Sequence, residues 1–129
     1  PERALQAGVV DALNEKGIPA MGPNRAAARI ETSKVFMRDL MERYRIPGRV
    51  RYRVFDSMEG LRNYIEKLGQ VAVKPIGLTG GKGVKVMGEG EQLGSVEEAV
   101  EYARQIIENR ISGEGRVIIE ERLIGEELT

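Results

Sequence analysis

Val71-Ala-Val-Lys74-Pro-Ile-Gly77-Leu-Thr79-Gly80-Gly81-Lys82-Gly83-Val84-Lys-Val-Met87 reads as two short strands joined by a bare, basic turn. Val71 to Val73 and Val84 to Met87 are rich in β-branched residues, which suit a pleated, half-buried surface. Four glycines stand within the seven residues from Gly77 to Gly83. Each loses more backbone freedom on folding than any other residue would, so the cluster needs a compensating interaction. Close approach of main-chain N–H groups to a phosphate, with the Lys82 ammonium adding charge, supplies one. A hairpin turn that simply needs positive φ is the plain alternative.

The flanks decide which phosphate loop this could be. A Walker A loop has four residues between its glycines, then Lys and Ser or Thr, then a helix. Here Gly77 and Gly81 enclose three residues, Gly83 holds the Ser/Thr position and a strand follows. The spacing of a dinucleotide fingerprint, which also opens a helix, is missing too. What remains is a strand-loop-strand cover for phosphate, with Lys74 on the incoming strand.

Composition narrows the chemistry. The 129 residues lie in the single-domain range, and 41% hydrophobic content suffices for one modest core or two small ones. Twenty basic and twenty acidic residues cancel, so no global field argues for nucleic acid or membrane, and an anion site must come from local arrangement. The apolar runs are too short for a membrane span or a secretory signal. Cysteine is absent, which excludes disulfides and thiolate chemistry and fits a cytoplasmic protein. Histidine is absent as well, removing a Ser-His-Asp triad, a His base and a His-bearing metal site. Pro1-Glu-Arg3 is not preceded by Met, which suggests a trimmed or excised piece.

Outward from the glycine stretch, helix and strand signals alternate. Leu5, Val9, Ala12 and Leu13 predict one helix over residues 4–16, ended by Gly17, and a short apolar strand follows at residues 18–21. Asn24 can cap an Ala-rich turn over residues 26–30. Thr32 or Ser33 can cap a helix with Val35, Phe36, Leu40, Met41 and Tyr44 inward, stopping before Ile46-Pro47. Lys34 sits in its first turn, where the helix dipole disfavours a cation and an anionic partner would relieve it; an ordinary solvated lysine is the plainer reading. Residues 50–55 alternate as a half-buried strand with Arg51 and Arg53 on the wet face. Asp56-Ser-Met-Glu59 resembles a capping box for a helix carrying Leu61, Tyr64, Ile65 and Leu68 up to Gly69. After the hairpin, Ser95-Val-Glu-Glu98 caps a helix with Val96, Ala99, Val100, Ala103, Ile106 and Ile107 inward to about Arg110. Val117 to Ile119 is a buried strand. Strand, helix, strand, strand, helix, strand describes an α/β layer of the α+β kind, two helices on one side of a sheet.

That last strand runs into Glu120-Glu121-Arg-Leu123-Ile-Gly125-Glu126-Glu127, four acids within eight residues. Two adjacent acids after a buried strand are either a solvated edge or the frame of a crevice. Cations for phosphates beside acceptors for ribose and an exocyclic amine are what a nucleotide requires.

Together, Gly17 to Pro23, Ala27 to Lys34, Val73 to Val84 and Ile119 to Glu127 resemble the ATP-grasp superfamily, and within it the glycinamide ribonucleotide synthetases (phosphoribosylamine-glycine ligases), most closely their archaeal branch. The motifs span nearly the whole chain. The resemblance implies an ATP-grasp fold present as a fragment. Residues 1–30 are then the tail of an N-terminal α/β domain and residues 31–129 ATP-grasp region, with the small lid subdomain at about 50–120 and an adenine hinge at about 119–127. Lys34 and Lys74 match the two lysines that hold ATP phosphates. Gly80, Gly81, Lys82 and Gly83 match the loop that covers them. Glu120, Glu121 and Leu123 match the hinge, whose main chain reads the adenine edge while Leu123 packs on the ring, and Glu127 matches the carboxylate that bonds the ribose hydroxyls.

The implied chemistry is ATP-dependent carboxylate-amine ligation in purine biosynthesis. The carboxylate of glycine takes the γ-phosphoryl group of ATP, and 5-phosphoribosylamine then displaces phosphate from the acyl phosphate, with Mg²⁺ as the companion of ATP. The family's metal ligands and most of its substrate residues would lie past Thr129, so no catalytic or metal residue is assigned here. The piece is expected to be inactive alone, and an exposed apolar seam is expected to drive its self-association. A biotin carboxylase-like enzyme or an acyl-CoA synthetase would use the same nucleotide grip, though biotin carboxylases carry a longer glycine run than Thr79 to Gly83. A non-catalytic nucleotide-binding module is the alternative of another class.

Overall fold

A computed structural model of the chain describes residues 2–77 and 83–125. The chain divides into two compact units, Pro1–Arg49 and Val50–Thr129.

The first unit is helical: α1 (Glu2–Ala7), α2 (Val9–Glu15), α3 (Arg25–Thr32) and α4 (Lys34–Arg43). The single helix predicted over residues 4–16 is instead broken at Gly8, which takes φ +86°. A Cβ at Gly8 would meet the Arg25 side chain at an ordinary 3.4 Å, so it is the left-handed φ that calls for glycine here. The break turns the helical face. Val10 is buried, whereas Val9, predicted inward, is 38% exposed. Asp11 then reaches across to accept a hydrogen bond from the Arg25 N–H at 2.6 Å, serving a donor that α3 leaves unsatisfied at its start.

Gly17 ends α2 as expected, at φ +70°. Its N–H donates to Asn14 C=O and that of Ile18 to Leu13 C=O, the paired bonds of a Schellman motif. Residues 18–21 form no strand, and Ile18 and Met21 are exposed. A strand needs a neighbour to take its N–H and C=O groups, and none of the four strands described below pairs with this run. Asn24 caps α3, its side chain accepting from Ala27 N–H, and α3 runs two residues past the predicted turn. Ser33 caps α4 by accepting from Phe36 N–H at 3.2 Å. Tyr44, predicted inward, is exposed because α4 has already ended at Arg43. The same 6→1 and 5→2 bonding recurs there, with Arg45 holding the left-handed position at φ +51°.

The second unit is an antiparallel sheet with two helices on one face. Its elements are β1 (Tyr52–Phe55), α5 (Leu61–Leu68), β2 (Val71–Pro75), β3 (Lys85–Val86), α6 (Val96–Glu108), a single 3-10 turn (Ile111–Gly113) and β4 (Val117–Glu121). The strand order is β1-β4-β2-β3. Register places Tyr52 and Ala72 opposite Glu120, Val54 and Lys74 opposite Ile118, and Arg53 and Val73 opposite Ile119. Because side chains alternate across a strand, Phe55, Val71, Val73, Val117 and Ile119 share the helix-covered face. They pack with Leu61 and Ile65 of α5 and Ala99, Tyr102, Ala103 and Ile106 of α6. Ala72, Lys74, Ile118 and Glu120 share the other.

Three local expectations change here. On β1 the helix-facing apolar residue is Phe55, in phase with Arg51 and Arg53 rather than with Tyr52 and Val54; the Arg53 guanidinium lies 5.0 Å from the Phe55 ring centroid. The Asp56–Glu59 capping box does not form. Gly60 takes φ +70° at the N-cap and makes no side-chain bond, so α5 starts two residues past the box. At α6 the box forms with one displaced bond: Ser95 accepts from Glu98 N–H, while the Glu98 carboxylate accepts from Gly94 rather than Ser95.

Candidate functional site

Lys74 is the fourth residue of β2, on the sheet face away from α5 and α6. Its Nζ lies 2.6 Å from Oε2 of Glu120, whose side chain is only 3% exposed against 21% for Lys74. Charges are removed from water only when they are paired and hydrogen-bonded, and β4 lying beside β2 in antiparallel register is what pairs these two. The sequence marked both residues but placed them 46 positions apart; the sheet makes them one unit.

Past Lys74 the chain turns at Gly77, φ +105°, and it re-enters the described structure at Gly83, φ +104°. Both ends of the glycine stretch therefore sit in left-handed territory that glycine alone enters cheaply. Gly80, Gly81 and Lys82 lie outside the described residues. Gly83 is held from α6: its C=O accepts a hydrogen bond from the Tyr102 hydroxyl at 2.8 Å. Burial pushes the Tyr102 phenol above its ordinary range, so it stays a donor at neutral pH. Lys85 places its ammonium 4.0 Å from the Tyr102 ring centroid, a cation–π contact that covers the same ring. Helical spacing omitted Tyr102 from the α6 stripe, although it is buried. Only its contact 19 residues back reveals its use, and no local signal carries that.

At the exit of β4 the acids separate. Glu120 pairs with Lys74. Glu121 turns to the start of β1, accepting from Arg51 N–H at 2.8 Å and from Arg51 Nε at 2.6 Å. These bonds hold its carboxyl below the usual carboxylate range. A folded-state value below the unfolded one stabilises the fold above the unfolded value and is lost as pH falls through the folded one. Glu121→Gln should therefore melt on the order of a few degrees below the parent at pH 7. That gap should close in thermal scans as pH is lowered from about 4.5 towards 3, and a gap that persists at pH 3 would count against the pairing.

Main-chain donors at this exit are also allocated. Glu121 N–H donates to Arg51 C=O and Arg122 N–H to Gln70 C=O, both at 2.9 Å. Leu123 is the first residue beyond these bonds, and its side chain is 69% exposed. Glu127 lies outside the described residues. Lys34 stands in the first unit as the first residue of α4, half-buried and directly after the capping Ser33. Among the described residues no group of three or more acids lies close enough to hold a metal ion. No helix among them is long and apolar enough to cross a membrane.

This sheet, with its half-buried lysine, glycine-bounded turn and strand exit, matches known proteins in sequence and shape. The model of the family described as phosphoribosylglycinamide synthetase, ATP-grasp (A) domain, matches residues 32–129. A phosphoribosylamine-glycine ligase of Methanothermobacter thermautotrophicus is 57% identical over the whole of this chain, which covers 29% of that protein. One from Pyrococcus horikoshii is 54% identical over the whole chain and 28% of its own length. The chain thus spans under a third of the curated relatives it matches. In shape, the D-alanyl-alanine synthetase A of Vibrio cholerae aligns over 92% of this chain and 34% of its own, with a TM-score of 0.68 at 15% identity, a likeness of fold alone. With its match running from the last residue of α3 to the end of the chain, this protein belongs to the phosphoribosylglycinamide synthetase ATP-grasp (A) domain family.

Proposed function

We propose that this chain is the nucleotide-gripping part of a phosphoribosylamine-glycine ligase that acts in the cytoplasm, in purine biosynthesis. Residues 1–30 are the tail of a preceding α/β domain, residues 31–129 ATP-grasp region, residues 50–120 its lid and residues 119–127 its hinge. The observation that carries the reading is the Lys74–Glu120 pair, on the sheet face away from α5 and α6, between a glycine-bounded turn and the strand exit at Leu123. Lys74 and Lys34 hold phosphate oxygens, and Gly80, Gly81, Lys82 and Gly83 cover them. Leu123 presents its N–H to the base edge and its side chain to the ring, and Glu127 takes the ribose hydroxyls. Adenine carries an acceptor at N1 where guanine carries a donor, so a main-chain N–H at this edge favours ATP.

Phosphoryl transfer needs positioning and charge neutralisation more than covalent help from the protein, which lysines and backbone donors supply without histidine. A glycine carboxylate oxygen bonds to the γ-phosphorus as ADP leaves; the phosphoribosylamine nitrogen then bonds to the acyl carbon as phosphate leaves. Mg²⁺ accompanies ATP in this reading, but the described residues hold no acid cluster to bind it, and no step above runs through it. The relatives' printed names support this choice of acid and amine. In the full-length protein, ADP release should require glycine together with phosphoribosylamine; release driven by bicarbonate instead would overturn the glycine reading. The exposed Ile18, Met21 and Ile30 make self-association of the isolated chain part of the same reading, and a sedimentation coefficient constant with concentration would contradict it.

A further inference from the structure

Arg122 is the one cation of the strand exit, and its guanidinium is not directed to solvent. Nη2 lies 2.6 Å from Glu91 Oε1, while Nη1 donates to Met87 C=O and to Gln70 Oε1, both at 3.3 Å. Its side chain is 20% exposed. Its own N–H donates to Gln70 C=O, so one residue binds three segments: the exit of β4, the residue before β2 and the turn after β3. Gly88 makes room for it, since a Cβ there would stand 1.8 Å from Nη1. The turn it grips is itself braced. Gly88 N–H donates to Leu93 C=O, Leu93 N–H to Val86 C=O, and Val86 N–H to the Gln92 side chain. Charge-assisted bonds from a planar guanidinium impose direction as well as affinity.

Leu123 follows immediately in the chain. We infer that Arg122 is a positioning residue for base recognition: by clamping the strand exit to Gln70 and to the 87–91 turn, it fixes the Leu123 N–H at the angle that accepts adenine and rejects guanine. The inference rests on the nucleotide reading above and adds to it the residue that sets base selectivity. An edge ordered before binding costs less to engage than one ordered by the ligand, and a donor must be held within tens of degrees to discriminate.

The test is calorimetric titration of ATP and of GTP into the full-length protein and its Arg122→Met, Arg122→Lys and Glu91→Ala variants, with melting temperatures alongside. Arg122→Met should weaken ATP on the order of 10-fold while GTP changes less than about 2-fold, so the preference collapses. Arg122→Lys, which keeps a cation for Glu91, should restore part of it. Glu91→Ala, on the surface turn, should shift it in the same direction by roughly 3-fold and serves where Arg122→Met does not fold. A purely structural role would lower the melting temperature and leave the ATP-to-GTP ratio at its parent value in every variant, which would overturn the clamp alone. A parent protein that binds no ATP would overturn the nucleotide reading and the clamp with it.

Discussion

Lys74→Met should lower the melting temperature of this chain by roughly 10 °C, corresponding to about 3 kcal/mol. The loss comes from Glu120 rather than from Lys74. Lys74 is partly open to water, whereas the Glu120 side chain is 3% exposed and meets this ammonium at 2.6 Å. Without that ammonium, a carboxylate this buried loses a close cationic partner that offsets its removal from water. Thermal scans at pH 7 read the loss. A variant within 2 °C of the parent at pH 7 would show that the pair contributes little.

The same pair complicates any use of Lys74 as a probe of phosphate binding, because its removal damages the fold and the grip together. Lys74→Met combined with Glu120→Gln separates the two. The double variant should recover most of the lost stability, since a neutral amide is cheaper to bury than a carboxylate that has lost its ammonium. It should not recover ATP binding if the lysine holds phosphate. Recovery of both would assign Lys74 to structure alone.

Ile119→Ala should cost about 4 kcal/mol, the largest single-residue loss expected in the second unit. Ile119 sits on β4 between β1 and β2, opposite Arg53 and Val73. It is fully buried among Leu61, Ile65 and Ile106. Truncation removes apolar area and leaves a cavity that strands on both sides and two helices cannot close. Urea unfolding should show a lower midpoint with an unchanged slope. Leu123→Ala, four residues on and 69% exposed, should stay within about 0.5 kcal/mol of the parent while weakening ATP in the full-length protein. Equal costs for the two substitutions would contradict the division between core strand and ligand edge.

Much of this architecture is legible along the chain because it rests on short-range physics. The 3.6-residue spacing from Leu61 to Leu68 and from Val96 to Ile107 places α5 and α6, and β-branched runs place β2 and β4. Asn24, Ser33 and Ser95 cap where their side chains can reach a nearby N–H, and Gly17 ends a helix where positive φ is needed. The family likeness also followed from the order of short motifs. What periodicity could not supply lies in contacts between distant residues. Gly8 breaks a helix by taking a left-handed conformation, and α5 starts after Gly60, past the Asp56–Glu59 sequence that resembles a capping box. Phe55 rather than Val54 meets the helices because the pairing of β1 with β4 sets its face. Residues 18–21 form an apolar run that pairs with no strand among the described residues. At the site, the residue types announced a nucleotide grip, but the joining of Lys74 to Glu120, of Tyr102 to Gly83 and of Arg122 to Glu91 comes from the register of the sheet and the packing of α6. Local sequence sets what each segment can be; only tertiary structure decides which charges meet, because a buried charge takes its partner from whatever strand lies beside it.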